Sequence, residues 1–413
     1  MHLKKQILRL YLLEIFGSFS LTDGIWIIFL IQRGFSLVEV GLAETVFHIA
    51  SFLFEIPSGA IADLFGRKKA MIASYLCMIL SAVLTVAAWN LPSLCLAMTF
   101  TALSYNLNSG TRDALTYDSL KACEEEDRYL SVNSNQRFLC SAAVSLSKLA
   151  TGIAGRIGYL LSYGCNMVFS GISILLISGM KEPQVTEAQK NRAKFSFATI
   201  GQELWRQLTE SLRFLRRHTD IAVKMLLDAL IGCGGTLTIF FLQHFSANGI
   251  SLGRIGFFLL IAELGGMAGT KSAAALAGKL PFGRLAAVCA LLAAGAAMLT
   301  GSAVPALSVA GGFGLRFFSL ILETATSNEI NRELPSDQRA TLISVSSILF
   351  SIAMIAATPA LSFLCEALGT SIAFAISGAV LGVTAACLLF LGKSAFFPVS
   401  GKAVSSHTKR DQK

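Results

Sequence analysis

Apolar stretches of about 20 residues, the length an α-helix needs to cross a hydrocarbon layer about 30 Å thick, recur along nearly the whole chain. Twelve are read, at roughly 8–31, 39–62, 70–89, 93–119, 134–157, 158–180, 220–245, 252–275, 283–301, 305–326, 340–364 and 369–392. They are continuous rather than alternating, which favours helices over the strands of a barrel. The fold class expected is an all-α polytopic membrane protein with twelve transmembrane helices. A mean hydropathy of +0.64 with only 14% charged residues excludes a soluble chain built round one or two cores.

Lysine and arginine fix the expected orientation, because cytoplasmic loops collect them. With the N-terminus inside, that side holds Lys4, Lys5 and Arg9, then Arg67, Lys68 and Lys69, then Lys121, Arg128 and Arg137, then a dense group from Lys181 to Lys224. It continues with Lys271, Lys279 and Arg284, with Arg332 and Arg339, and with Lys393, Lys402, Lys409, Arg410 and Lys413. The other side holds only Arg33, Arg156 and Arg254. Both termini are therefore expected in the cytoplasm, the span number even and the location the cell membrane. The net charge of +9 is explained by basic loops facing anionic lipid, with no nucleic-acid partner. The nine cysteines are scattered, with Cys77, Cys140, Cys289 and Cys387 inside spans, so they read as small apolar packing residues and not as metal ligands. The first apolar segment has no small-residue cleavage site and is read as a span, not a removed signal peptide.

The longest polar interval splits the spans six and six. Expected boundaries are an N-terminal bundle at 1–180, a linker at 181–219, a C-terminal bundle at 220–392 and a tail at 393–413. In the linker, Ile200, Leu204, Leu208, Leu212 and Leu215 recur at three- and four-residue spacing while Arg206, Arg213, Arg216 and Arg217 lie elsewhere round the turn. That pattern reads as an interfacial helix on the inner leaflet or as a soluble helix packed on the loops. A faint repeat supports duplication: Asp118 precedes Arg128 by ten residues after the fourth span, and Glu329 precedes Arg339 by ten after the tenth. Duplicated halves place a substrate site at their interface.

Residues 59–69, Gly-Ala-Ile-Ala-Asp-Leu-Phe-Gly-Arg-Lys-Lys, form the turn between the second and third spans. Gly59 removes a side chain where helices approach, Gly66 permits a sharp reversal, and Asp63 lies within a turn of Arg67 and close to Lys68. This spacing resembles the signature loop of the major facilitator superfamily of secondary transporters. The resemblance covers the chain from its first span to its twelfth. Glu55-Ile56-Pro57-Ser58 and the stretch from Ser109 to Leu120 are similar to a bacterial branch that includes many drug-efflux proteins. The resemblance implies that Asp63 faces the N-terminal end of the eleventh span and that Arg67 joins a charge network gating the cytoplasmic side. One departure bears on proton exchange: the fifth span has Gly152 and Gly155 but lacks the Gly-Pro motif of many proton-coupled antiporters.

Ionisable groups inside a membrane are costly unless paired, so each is a candidate for function. Asp23, beside Gly24 and Trp26, sits where a central cavity would lie and reads as a proton or cation site, or as a packing aspartate bonded to Thr22. Glu44 and His48, four residues apart on one helical face, read as a proton relay or as a buried pair. Arg112 and Asp113 are cavity-lining candidates, although adjacent residues point about 100° apart, so one of the two is expected to face it. Glu263 and Arg316 pair across helices in one reading, and Asp228, Glu323 and Lys148 complete the set. Trp26, Phe29, Phe240 and Phe241 are candidate walls of an apolar pocket.

No phosphate-cradling loop followed by Lys-Ser/Thr, no Gly-x-Ser-x-Gly elbow and no His-Glu-x-x-His occurs, so neither an ATPase nor an enzyme is expected, and no cofactor. The functional expectation is a monomeric secondary transporter working by alternating access, coupled to protons and exporting amphipathic drugs. Import of a sugar, peptide or organic anion is the alternative within transport. A non-transporting sensor or membrane-embedded enzyme is the alternative outside it.

Overall fold

The computed structural model describes residues 2–182, 197–247, 249–333 and 339–397. The first span is two helices, α1 (Leu3–Ser18) and α2 (Trp26–Gln32), around a non-helical stretch at 19–25. Side chains replace the missing helical bonds there. Asn166 Oδ1 accepts from the Leu21 N–H at 2.9 Å, Ser147 Oγ from the Ser20 N–H at 2.9 Å, and Asn166 Nδ2 donates to Ser20 and Thr22 at 2.9 and 2.7 Å. Backbone irregularity at membrane depth is tolerated only with such partners. The fourth span is likewise split into α5 (Leu91–Asn108) and α6 (Thr111–Lys121) at Gly110, whose φ is +72°.

The other spans of the first half are α3 (Leu37–Phe65), α4 (Arg67–Ala87), α7 (Tyr129–Ile157) and α8 (Tyr159–Ser178). After α9 (Phe197–Arg217) come α10 (Thr219–Ala247), α11 (Leu252–Ala277), α12 (Phe282–Thr300), α13 (Pro305–Glu333), α14 (Arg339–Leu368) and α15 (Thr370–Leu391). Among the described residues nine helices are individually long and apolar enough to cross a membrane. Three spans fall outside that set: the first and fourth are interrupted, where continuous helices were expected at 8–31 and 93–119, and the side chains at 238–247 of the seventh lie outside the described residues.

Hydrogen bonds gather the basic segments at one end. Gln6 Nε2 donates to the Lys181 carbonyl at 2.8 Å, Lys68 Nζ donates to the Ser178 and Met180 carbonyls at 2.6 and 3.0 Å, and Arg9 donates to the Gly179 carbonyl. At the opposite end Arg33 Nη2 donates to the Ala88 carbonyl at 2.8 Å. We call these the basic end and the far end.

The spans before α9 pack mainly on one another, as do those after it; α3 crosses α14 and α7 crosses α11 to join the two sets. Those crossings are made toward the far end by glycine. A Cβ on Gly152 would stand 2.9 Å from Gly253 Cα, one on Gly256 would overlap the Lys148 carbonyl, and one on Gly41 would overlap Ser362. Gly152 of α7 opposes Gly253 of α11, Gly155 receives the Leu252 side chain and Gly256 receives the α7 backbone at Lys148, the small-residue spacing that lets membrane helices meet closely. The Val38 N–H, in the first turn of α3, also donates to Glu366 Oε2 of α14 at 3.1 Å, placing a carboxylate at the positive end of a helix in the other set. Phe29, Leu30, Val40, Met354, Leu361 and Cys365 share one apolar cluster drawn from both sets.

At the basic end the expectation for Gly59 is not met. It is exposed, and a Cβ there would meet nothing within 4 Å, so this glycine makes no close helix approach in the present conformation. The reason is that α3 is held against α14 toward its far end, and among the described residues no atom comes within 4 Å of a Cβ placed on Gly59. Gly66 does make the sharp turn expected of it, with φ +99°.

Gly256→Val should force α7 and α11 apart. Cys365, 3% exposed in the shared cluster, should then be alkylated several-fold faster by a maleimide, as read by mass-spectrometric mapping of the purified protein.

Candidate functional site

A cavity of about 760 Å³ lies within the first six spans, lined from α1 through α8. The described residues that line it all belong to the first six spans, and at Glu44 it reaches the His48–Phe350 contact between the halves, the interface where the repeat had placed a site. Asp23, Glu44 and Arg112 line it together, with aromatic walls that include Phe16, Trp26 and Phe47.

Two charges at this cavity carry counter-ions. Asp23, in the break between α1 and α2, pairs with Lys148 of α7. The break lets the chain turn its Asp23 toward α7, and Gly24 makes that possible because a Cβ there would overlap Thr151. Arg112, in the first turn of α6, pairs with Glu14 of α1, and Gln136 Nε2 of α7 donates to the other Glu14 oxygen at 3.2 Å. Glu14 and Gln136 are 4% and 3% exposed, so this is a buried, bridged charge pair tying three spans.

Glu44 differs. Its neighbour is the His48 imidazole, with Nε2 3.6 Å from Glu44 Oε1, too long for a hydrogen bond, and His48 Nε2 has no hydrogen-bond partner. The expected pair on one face of α3 is present, and among the described residues no lysine or arginine lies within ion-pair distance of Glu44. His48 also meets the Phe350 ring of α14 at 6.1 Å between centroids, edge to face, so this pair sits where the two halves touch.

Arg112 lines the cavity and Asp113 does not. Asp113 points away and pairs with Arg137 of α7 at 3.3 Å, in a bridge largely exposed at both ends, which removes it from the cavity set. Glu263 of α11 and Arg316 of α13 approach to 3.6 Å, the interhelical pair expected of them. Glu14 was missed; its signal was an acid inside the first apolar segment, nine residues before Asp23.

At the basic end the signature turn forms a network. Arg67 donates from its guanidinium to the buried Asp118 of α6 and from its backbone N–H to Glu182, while Lys68 caps the end of α8. Asp118 is thus a structural partner of the turn. The Asp63 side chain lies outside the described residues, as do the side chains of Arg339, Phe240 and Phe241. Arg128 pairs locally with Glu125 in an exposed bridge, and Glu329 approaches Lys224 at 3.9 Å.

Comparison with known proteins defines the class. The family model described as Major Facilitator Superfamily matches residues 10–328. The chain belongs to that superfamily, and is a transporter and not an enzyme. An uncharacterized MFS-type transporter, YxaM of Bacillus subtilis (strain 168), is 30% identical over 173 residues, which is 40% of each chain. The matched stretch is therefore less than half of that relative's length. Among solved structures, the nucleoside transporter NupG superposes with a TM-score of 0.71 at 14% identity, covering 96% of this chain and all of that one. A peptide transporter, POT, in complex with sulfate gives 0.71 at 14% identity over 95% of each chain. A D-xylose–proton symporter gives 0.67 at 12%, over 94% of this chain and 96% of that one. At these identities the likeness shows a shared fold.

Removing one member of a buried charge pair strands the other, at a cost of about 3 kcal/mol or more, whereas removing both is close to neutral. Glu14→Gln and Arg112→Gln should each lower the melting temperature in detergent, and the double variant should recover most of the loss.

Proposed function

We propose that this protein is a proton-coupled exporter of amphipathic, cationic small molecules, resident in the plasma membrane with both termini cytoplasmic and working by alternating access between two six-helix halves. The observation that carries the reading is Glu44: a carboxylate on an aromatic-walled cavity with an imidazole, and among the described residues no stronger base, beside it. A proton and a cationic group compete for one such carboxylate, so occupancy by either excludes the other. That competition is exchange. With the proton gradient directed inward, exchange moves the substrate outward.

The direction of rocking is supported by the contacts. Among the described residues the halves meet at the far end and at mid-membrane, while nothing comes within 4 Å of a Cβ placed on Gly59 at the basic end. With the basic end cytoplasmic, this is the inward-open form. The Arg67, Asp118 and Glu182 network and Asp63 would then act in closing that end in the other half of the cycle. Asp23 holds a counter-ion in Lys148 already, which makes it a positioning charge and gives Glu44 the coupling role.

A second reading has its own support. Asp23 with Lys148 and Glu14 with Arg112 put both signs of charge on one cavity, as a zwitterion requires. Several proteins of like fold carry nucleosides, peptides or xylose by their names. Proton-driven import of a zwitterion is that reading.

The test measures a fluorescent lipophilic cation in cells lacking their own exporters. Expression should lower dye content several-fold, a protonophore should reverse this, and Glu44→Gln should abolish it while Asp23→Asn, expressed to the same level, impairs it less. Unchanged dye, with the protein confirmed in the membrane, would sink the export reading and leave the import one.

A further inference from the structure

The helix between the halves, α9, packs on α10 and α14 and also reaches α3, so it runs across the basic end and not alongside a single span. Its 21 residues give it a length of about 30 Å. Its side chains sort by direction. Counting about 100° per residue from Trp205, Leu212 falls within about 20° of it and Phe214 about 180° away. Leu215 lies about 80° to one side of Trp205, and Arg213, Arg206 and Arg217 lie about 80–120° to the other, with Arg216 between them and Trp205.

Each direction has its own surroundings. Phe214 is 7% exposed, buried with Ile221 and Met225 of α10, Ile330 of α13 and Val345 of α14, and Leu215 is half-buried beside it. On the opposite side Trp205 is 69% exposed and Leu212 54%. Arg206, Arg213, Arg216 and Arg217 are exposed as well. Arg206 pairs with Glu210 at 3.2 Å, and the other three make no ion pair among the described residues.

A helix standing in water and packed on the bundle turns its large apolar residues inward. Here a tryptophan and a leucine point the other way, opposite the buried Phe214. A helix lying in the plane of a leaflet meets four surroundings: protein on one flank, lipid on the other, hydrocarbon on one face, headgroups and water on the last. The four directions of α9 match that set, with Phe214 toward protein, Trp205 and Leu212 toward the lipid flank, Leu215 toward hydrocarbon and the arginines toward headgroups. Tryptophan suits the boundary because its ring is apolar and its N–H is not. Charge selects the lipid. Four arginines outnumber the two acids of the helix, Glu203 and Glu210, and guanidinium pairs phosphate oxygens two at a time. A zwitterionic headgroup brings its own cation to such a row, whereas an anionic one does not.

We propose that α9 is a docking surface for anionic phospholipid of the leaflet at the basic end. Arg213, Arg216 and Arg217, with Arg206, hold the phosphate headgroups, and Trp205 and Leu212 enter the acyl boundary beside them. The surface rests neither on the substrate nor on the direction of transport.

The experiment reads tryptophan fluorescence of the full chain in nanodiscs of phosphatidylcholine and phosphatidylglycerol in equal amounts, with bromine on the acyl chains of one lipid or of the other. Trp26→Phe with Trp89→Phe leaves Trp205 as the one tryptophan. Brominated phosphatidylglycerol should quench it about twofold more than brominated phosphatidylcholine, as local enrichment of the anionic lipid requires. Arg213→Gln, Arg216→Gln and Arg217→Gln together should bring that ratio close to one. Equal quenching by the two lipids with the arginines in place would overturn the proposal, as would a ratio unchanged in the triple variant. So would fluorescence that acrylamide quenches and neither brominated lipid touches, which would stand α9 in water with its arginines open to a soluble acidic partner. If the two-phenylalanine form is not monodisperse, the same ratio is read from the part of the native fluorescence that Trp205→Phe removes, with the same outcomes.

Discussion

Hydrocarbon offers no hydrogen bonds, and every other feature of this protein is arranged around that fact. An unpaired charge or open backbone group at membrane depth costs several kcal/mol. The chain nevertheless breaks its first span at 19–25 and buries Glu14 and Arg112. It does so by supplying partners from the same half. Asn166 and Ser147 complete the backbone of the break, Lys148 meets Asp23, and Gln136 braces Glu14. The cavity exists because these bonds hold the helices apart round polar groups rather than letting them collapse.

The same constraint shapes the joint between halves. Lipid tails are as apolar as leucine, so helices associate by close packing and not by hydrophobic exclusion. Glycines 41, 152, 253 and 256 bring backbones together at the far end, with Glu366 at the start of α3 adding a charge-to-dipole contact. A joint of small residues can open without leaving charges bare, which suits a protein that must change which end is closed. The charge network at the basic end is of the other kind, built from Arg67, Lys68 and Asp118 of the first half with Glu182 at the start of the linker.

Pattern and pairing were not equally legible. Helical spans, their number and the clustering of the basic loops follow from composition along the chain, because crossing a bilayer fixes both length and hydropathy. The family was legible in the turn at 59–69 because a short motif with fixed spacing carries it. Local pairs such as Glu44 with His48 were legible because four residues return a helix to the same face. Glu14 with Arg112, nearly 100 residues apart, was not, and Asp118 read as a loop residue when it is the buried partner of Arg67.

The sequence by itself determined the solvent this protein lives in, the helical class and the superfamily. Each follows from local periodicity, which needs no knowledge of which helix lies beside which. Only the tertiary structure decided that Asp23 is answered by Lys148, that Asp113 faces away, and that among the described residues no lysine or arginine reaches Glu44. It also decided that among the described residues nothing closes on Gly59 while Gly256 is pressed against α7, and that the buried Ser319 and Thr326 hydroxyls have no hydrogen-bond partner. Those are facts about neighbours on other helices. The physical reason is that a helix presents its side chains by rotation and depth, and both are set by packing against partners distant in sequence.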